Sequence, residues 1–359
     1  MTEDLGRLIE IVDAFPQRRI LVLADLVADE FVSGEISRVS REAPVLILRQ
    51  QGTERMPGGG ANAANNLVDL GARIVPVGVV GDDAAGRALL EYFRAKHVST
   101  AGILTLRGWT TPAKTRYLAG WAHTARQQVL RVDRGPTGPL PAKARRELES
   151  RAREQARKAD AVLVSDYGFG AITPQLVRRL GISGACPLTL DSRYSLLDFR
   201  GARITAATPN EPELEALYHA GIGNDISALE RLGRRALRHL GLHALVVTRG
   251  KDGMVLFEPG RKSRAIPVFG AEEAVDVTGA GDTVIAALTL AVAAGATFAE
   301  AARLANYAAG IVVMKRGTAT VTRAELLAAL HGEITGAAST SISQSAAQQP
   351  KMPRRRRTP

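Results

Sequence analysis

The run DVTGAGDT, residues 276–283, joins an acidic residue to a turn of small residues where an apolar segment begins. Gly279, Ala280 and Gly281 carry almost no side chain, so their backbone N–H groups can face outward at a helix start, where the macrodipole favours an anion. Asp282 falls in the first turn of that helix. A carboxylate there can accept the proton of a hydroxyl while its oxygen attacks phosphorus. A base beside an anion pocket is most of what phosphoryl transfer asks of a protein, because the reaction needs positioning and charge stabilisation. Taken alone, the run reads equally well as a glycine turn followed by an ordinary first-turn acid.

Three further sets of residues could share a site with it. Gly58, Gly59 and Gly60 precede a segment carrying Asn62, Asn65 and Asn66; bare backbone lets a sugar ring lie close, and the amides can bond hydroxyls. A plain loop before a helix is the alternative. Asn210 and Glu213 stand three apart in ATPNEPELE, which suits a pair that positions Mg²⁺-bound water near nucleotide phosphates or, equally, a capping box. Asp25 and Asp29, in LVLADLVADEF, are strand-end carboxylates that can hold sugar hydroxyls or simply be solvated. Arg38, Lys114, Arg116 and Arg131 are cations that could grip an anionic substrate, although most surface Arg and Lys do no more than solvate.

These residues need a scaffold, and hydropathy outlines one. Short apolar runs at 18–25, 73–81, 161–168, 186–192, 202–210 and 244–250 predict buried strands; amphipathic stretches at 62–71, 83–97, 141–159 and 211–221 predict helices. Alternation of the two predicts a parallel sheet covered on both faces, with ligands at the carboxyl ends of its strands. Residues 31–57 and about 107–133 break the rhythm with Val/Ile/Leu alternation, and they predict two excursions that pair as a small β lid. The organisation expected is one main domain over 1–333, that lid, and a tail over 334–359.

Composition is ordinary for a globular chain of 359 residues, 45% hydrophobic and 23% charged. Cys186 is the only cysteine, which excludes an internal disulfide and leaves an idle thiol as the expectation. The start, MTEDLGRLIEIVDAF, is acidic and amphipathic rather than signal-like, and the longest apolar run, Val284 to Ala296, is too short to cross a bilayer. A cytoplasmic location is expected. Of the net charge of +11, Lys351 and Arg354 to Arg357 supply five, leaving +6. That remainder suits an enzyme of polyanionic substrates. The Ser/Gln/Pro-rich tail has too few large apolar residues to order, so disorder is expected there, with a weak contact to nucleic acid as its only such role.

Gly58-Gly59 followed by Asn62, together with DVTGAGD at 276–282, resembles the two signatures of the ribokinase-like (PfkB) carbohydrate kinases, in the same order and over a pattern spanning about 18–330. The resemblance implies an α/β fold, a three-layer α/β/α sandwich with a small β-strand lid, and phosphorylation of a carbohydrate hydroxyl with ATP and Mg²⁺. It implies Asp282 as base, Gly279 to Gly281 as anion hole, Asp29 and Asn62 as sugar contacts, and Asn210 with Glu213 as the Mg²⁺-organising pair. Thr248, Arg249 and Gly250 in VVTRGKDGM, and Asn306 in LANYAAG, become expected ATP-site residues. Some members use K⁺, for which Asp276 and Thr278 are the expected carbonyl donors.

Within that family the chain is most similar to the heptose 7-phosphate kinases, on ADLVADEFVSGEISRVSREAPV, ERMPGGGANAANNL, QQVLRVD, ATPNEPELE and KRGTATVT. This implies phosphorylation of O1 of D-glycero-β-D-manno-heptose 7-phosphate in ADP-heptose synthesis, by a kinase alone, since no HxGH motif follows. The chain departs from that pattern at Ala24, Phe31, Val32, Arg41, Phe169 and Ser192-Arg193. A lysine is missing where Phe169 stands, whereas Arg193 keeps a cation, so the chemistry is more firmly implied than the sugar. Other kinases of the fold, acting on fructose, ribose, a sugar phosphate or a nucleoside, and a non-catalytic sugar-binding protein, are the competing readings. An exposed lid strand that pairs with its twin would make a homodimer.

Overall fold

The computed structural model describes residues 2–333 except 122–123, 183, 185 and 271–273. The predicted tail, 334–359, lies outside the described residues. Thirteen strands occupy the described chain: β1 (Arg19–Ala24), β2 (Leu26–Val39), β3 (Leu46–Gly59), β4 (Arg73–Gly81), β5 (Ile103–Leu106), β6 (Ala113–Gly120), β7 (Gln127–Arg134), β8 (Ala161–Asp166), β9 (Leu188–Ser192), β10 (Ala206–Ala207), β11 (Ala244–Thr248), β12 (Met254–Phe257) and β13 (Arg264–Ile266). The helices are α1 (Thr2–Asp13), α2 (Gly60–Asp69), α3 (Ala84–Ala95), α4 (Ala142–Ala156), α5 (Pro174–Arg178), α6 (Glu211–Tyr218), α7 (Ile226–Leu240), α8 (Ala280–Ala293), α9 (Phe298–Val312) and α10 (323–333).

The main sheet runs β13-β12-β11-β10-β9-β8-β1-β4-β5. From β11 to β5 every pairing is parallel. Central strands such as β1 (RILVLA) are apolar at nearly every position because both faces are covered. Ile20, Val22 and Ala24 face a core built with α1, α2, α8 and α9, while Leu21 and Leu23 face a second core with α4 and α7. Two cores, one on each side of a sheet, make a three-layer sandwich. Among the described residues no helix is long and apolar enough to cross a membrane.

The sequence pattern differs from the structure at three places, each with a local cause. The predicted strand 202–210 contracts to Ala206–Ala207, since Pro209 has no N–H to continue the ladder; its carbonyl instead accepts the Thr248 amide at 3.0 Å. β12 and β13 add to the edge antiparallel, because only a short turn around 250–252 joins β11 to β12, too short for a crossover. Gly58 and Gly59 do not form a loop. They end β3, which passes straight into α2.

A second sheet, ordered β3-β2-β6-β7, stands where the pattern predicted a lid. Its bounds differ from the expected excursions: β2 starts earlier, at Leu26, one residue beyond β1, whereas β6 starts later, at Ala113, and residues 107–112 stay with the main domain, with Trp109 buried in its second core. Asp25 is the single residue between β1 and β2, where the chain leaves the first sheet for the second.

α2 can lie against β1 only because Gly60 lacks a side chain. A Cβ there would meet the Ala24 Cβ at 2.5 Å and the Asp25 carbonyl oxygen at 2.7 Å. Gly60→Ala is therefore expected to lose about 1–3 kcal/mol in urea unfolding. Gly138→Ala, which meets nothing within 4 Å, should stay within about 0.5 kcal/mol of the parent; equal stability of the two variants would refute this account of α2 docking.

Candidate active site

The carboxyl ends of β8, β9, β10 and β11 meet the start of α8 and the inner face of the second sheet around a polar cavity of about 300 Å³. This is where open parallel sheets place ligands. α8 enters it because its sequence, VIAALTLAVA, is apolar on all sides and is buried between sheet and helices, which pins its first turn. Gly279 turns the chain into that helix at φ +81. Gly279, Gly281 and Asp282 line the cavity, whereas the Ala280 N–H closes the turn onto the Val277 carbonyl at 3.2 Å.

Asp282 is 3% exposed. Its Oδ2 accepts from Asn62 Nδ2 at 2.9 Å and its Oδ1 from the Tyr167 hydroxyl at 2.7 Å. Burial pushes its pKa up to about 6, against the pull of those two donors and of Lys114. Such a group is ionised at neutral pH and still basic enough to take a hydroxyl proton in a transition state. Lys114, from β6, sets its ammonium 4.5 Å from the Tyr167 ring centroid. Burial lowers its pKa, and the nearby Asp29 and Asp282 carboxylates oppose that shift.

Asp29, on β2, is buried and faces the cavity. Thr318 Oγ1 donates to its Oδ2 at 2.6 Å, and Arg116 Nη1 lies 2.9 Å from its Oδ1 as an ion pair. That ion pair is not aligned as a hydrogen bond, so both atoms keep unused bonding capacity. Arg131 and Arg193 complete a cationic wall. On the opposite side Asn210 and Glu213 form a reciprocal capping box, with Glu213 N–H to Asn210 Oδ1 at 2.8 Å and Asn210 N–H to Glu213 Oε2 at 3.0 Å. Both also line the cavity, and burial raises the Glu213 pKa.

An apolar cleft of about 280 Å³ adjoins this cavity and shares Thr248, Val277 and Gly281 with it. Gly250, Ala280, Val284, Asn306 and Ala309 also line it, and Asn306 Nδ2 donates to the Pro267 carbonyl at 2.8 Å. An apolar slot ending at a helix N-terminus suits a flat heterocycle attached to phosphates.

Several sequence-predicted residues sit elsewhere. Asp25 does not line the cavity: its Oδ2 accepts the Tyr167 and Phe169 N–H groups at 2.9 and 3.1 Å, so it shapes the loop after β8. Arg38 is exposed near the far end of the long strand β2, about 30 Å of strand beyond Asp29. Arg249 pairs with Glu211 at 2.6 Å and lines neither cavity nor cleft. Gly58 is not a cavity wall either; a Cβ there would meet the Asp29 carboxyl at 2.5 Å. Asn62, fully buried, reaches Asp282 from behind rather than lining the cavity. Asp276 uses its side chain on the Thr278 and Gly317 N–H groups, both at 2.9 Å.

Sequence reasoning missed Tyr167, Asp191 and Thr318. Asp191 is the penultimate residue of β9 and stands in the cavity wall, where burial and the Asp282, Glu213 and Asp166 carboxylates hold its pKa well above the ordinary value. The strand-end rule that selected Asp25 would have found both Asp191 and Tyr167. No local signal marks Thr318, which meets Asp29 from across the chain.

The profile of the pfkB family carbohydrate kinases matches residues 26–325. This chain belongs to that family. Its fold is ribokinase-like. Similar pfkB-family chains include the bifunctional protein HldE of Geobacter metallireducens, 42% identical over 314 residues that cover 86% of this chain and 62% of that protein. The bifunctional protein HldE of Desulfatibacillum aliphaticivorans is 38% identical over 326 residues, 90% of this chain and 65% of that protein. The chain thus spans under two thirds of the length of these relatives. Among solved structures, Arabidopsis thaliana ribokinase complexed with ribose and ATP superposes at TM-score 0.66 and 21% identity, covering 87% of this chain and 98% of that one. Escherichia coli phosphofructokinase-2 with substrates and products gives 0.68 and 19%, over 88% and 98%.

The Asp25 pKa is pushed up from 3.8 to about 7, by burial first and by Asp166 second. Folding thus favours its protonated form, and the associated stability is present below pH 3.8 and lost as pH rises through about 7. Asp25→Asn should remove this loss: its melting temperature, set against the parent's, is expected to rise relative to it from pH 4 to pH 8. A constant difference would count against the buried charge.

Proposed function

We propose that this pfkB kinase transfers the γ-phosphoryl group of ATP to O1 of D-glycero-β-D-manno-heptose 7-phosphate. The observation that carries the reading is the convergence of Lys114, Arg116, Arg131 and Arg193 on the cavity that holds Asp282. With a neutral sugar these cations would have only the ATP phosphates to meet. A sugar that already bears a phosphate gives them a further anion, since each phosphate brings about two negative charges. The heptose-kinase pattern quoted above, and similarity to HldE proteins over most of the chain, support the same substrate.

In this mechanism Asp282 accepts the proton of the sugar hydroxyl while that oxygen forms a bond to the γ-phosphorus. The bond from phosphorus to the β,γ-bridging oxygen breaks, and ADP leaves carrying its electron pair. N–H groups at the Gly279–Gly281 turn and the cationic wall meet the charge on the transferring oxygens. Asp29, with its unused Oδ1, holds sugar hydroxyls, and the apolar cleft takes the adenine.

Oxygen donors suit Mg²⁺, and among the described residues no His, Cys, Asp or Glu groups cluster as a direct cage, which fits an ion held largely by water and phosphates. Glu213 with Asn210 would hold it through water, where it would neutralise phosphate charge. Carbonyls at Asp276 and Thr278, on a turn tied to Gly317, would take K⁺. A second copy would pair along the β7 edge, where Val129, Leu130 and Val132 are exposed.

Asp282→Asn should cut kcat by about 10²–10⁴-fold while ATP still binds in calorimetry. The acid limb of the parent's kcat/KM profile should fall near pH 6, with activity lost below it as Asp282 is protonated. An undiminished rate in Asp282→Asn would remove it as base. ATP turnover should be fastest with the heptose 7-phosphate when that is compared with fructose, ribose, fructose 6-phosphate and a nucleoside; absence of turnover with the heptose would overturn the substrate.

A further inference from the structure

Asp282 is held at both oxygens, and only one holder belongs to the glycine-asparagine signature. Asn62 fixes Oδ2 from the protein interior. Oδ1 is met by the hydroxyl of Tyr167, a residue that lines the cavity just beyond β8. The tyrosine is itself fixed at three points. Its backbone N–H is bound by Asp25 Oδ2 at 2.9 Å. Its ring packs beside Gly59, where a Cβ would first meet Val27 Cγ2 at 2.9 Å and then ring carbons at 3.1 and 3.2 Å. The Lys114 ammonium stands over the ring at 4.5 Å.

We propose that Tyr167 is a positioning residue for the catalytic base. This rests on Asp282 being the base. The hydroxyl fixes the carboxylate plane, so the lone pair of Oδ1 not used by Tyr167 points at the reacting hydroxyl. A hydrogen bond to the charged form also favours ionisation. The groups facing Asp282 are Asn62 from α2, Lys114 from β6, Asp29 from β2, Tyr167 and Asp191 from β9, with Arg193 near the tyrosine. Of these, Asn62, Tyr167 and Lys114 favour its charge, and Asp29 and Asp191 oppose it. The tyrosine is a donor that stays neutral: burial and the Asp282 charge raise its own pKa well above the ordinary value.

Tyr167→Phe keeps the ring and deletes the donor. It is expected to lower kcat by about 10-fold at neutral pH, to leave KM for ATP within about twofold, and to move the acid limb of kcat/KM upward by about one pH unit. A reduced rate with an unmoved limb would overturn the proposal, because a merely structural defect does not change which pH protonates the base. If the variant does not fold, biosynthetic replacement of tyrosine by 3-fluorotyrosine supplies the test. The more acidic phenol is a stronger donor, so the limb should move to lower pH, and an unmoved limb would overturn the role. Asp282→Asn assayed alongside separates the two layers. Loss of turnover there with an unmoved limb in Tyr167→Phe overturns the tyrosine's role alone, whereas retained turnover overturns the base and with it this proposal.

Discussion

A carboxylate placed almost wholly out of water, at the head of a helix that is itself buried, is costly unless hydrogen bonds and opposite charge offset the lost hydration. Asp282 is in that position, and much of the surrounding structure answers it. Asn62 and Tyr167 each donate to one oxygen, and Lys114 reaches over from the second sheet. The offset is incomplete, which is why the carboxyl keeps a pKa near 6 instead of an ordinary one. That residue of unmet demand is useful to a kinase: a fully satisfied carboxylate would be too weak a base, and an unsupported one would stay protonated at neutral pH.

The same constraint explains why the second sheet is built onto the first instead of being a separate domain. Asp29 and Glu30 are neighbours on β2 and face opposite ways, as strand geometry requires. Asp29 enters the cavity opposite Arg116 and Thr318. Glu30 is buried on the other face, bonded by Arg55 and Thr115 at 2.7 Å each and paired with Arg134, which ties β2 to β3, β6 and β7. One face of the sheet thus carries the site and the other holds the four strands together. With Asp25 alone between β1 and β2, a shift of the second sheet moves Lys114 and Arg116 relative to Asp282. The sheet forms one wall of the cavity, through Asp29, Lys114, Arg116 and Arg131.

The glycines of 58–60 show how a sequence signal can be right about place and incomplete about reason. Bare backbone suggested room for a sugar ring. In the folded chain Gly58 faces the Asp29 carboxyl, Gly59 the Val27 side chain and the Tyr167 ring, and Gly60 the Ala24 Cβ and the Asp25 carbonyl. Each is needed for a contact within the protein. Asn210 and Glu213 are the converse: the capping box and the place in the cavity wall hold together, because a helix start pointing at the site puts its caps there too.

By itself the sequence determined the layered α/β class, the order of most strands and helices, and the position of Asp282 in a first helical turn. These are local properties, carried by hydropathy period, turn residues and helix-start chemistry. It also marked Asn210 with Glu213 as a cap, for the same reason. Tertiary structure alone decided what meets Asp282 and Asp29. Asn62, Tyr167, Lys114, Asp191 and Thr318 come from segments far apart in the chain, and no spacing in one dimension records that they meet around these two carboxylates. It also placed outside the cavity Arg38, a candidate for its charge, and Arg249, a candidate from the family resemblance, through strand length and a competing carboxylate respectively. The physical reason is that a local pattern fixes the direction in which a side chain leaves its element, whereas the company it keeps depends on how elements pack.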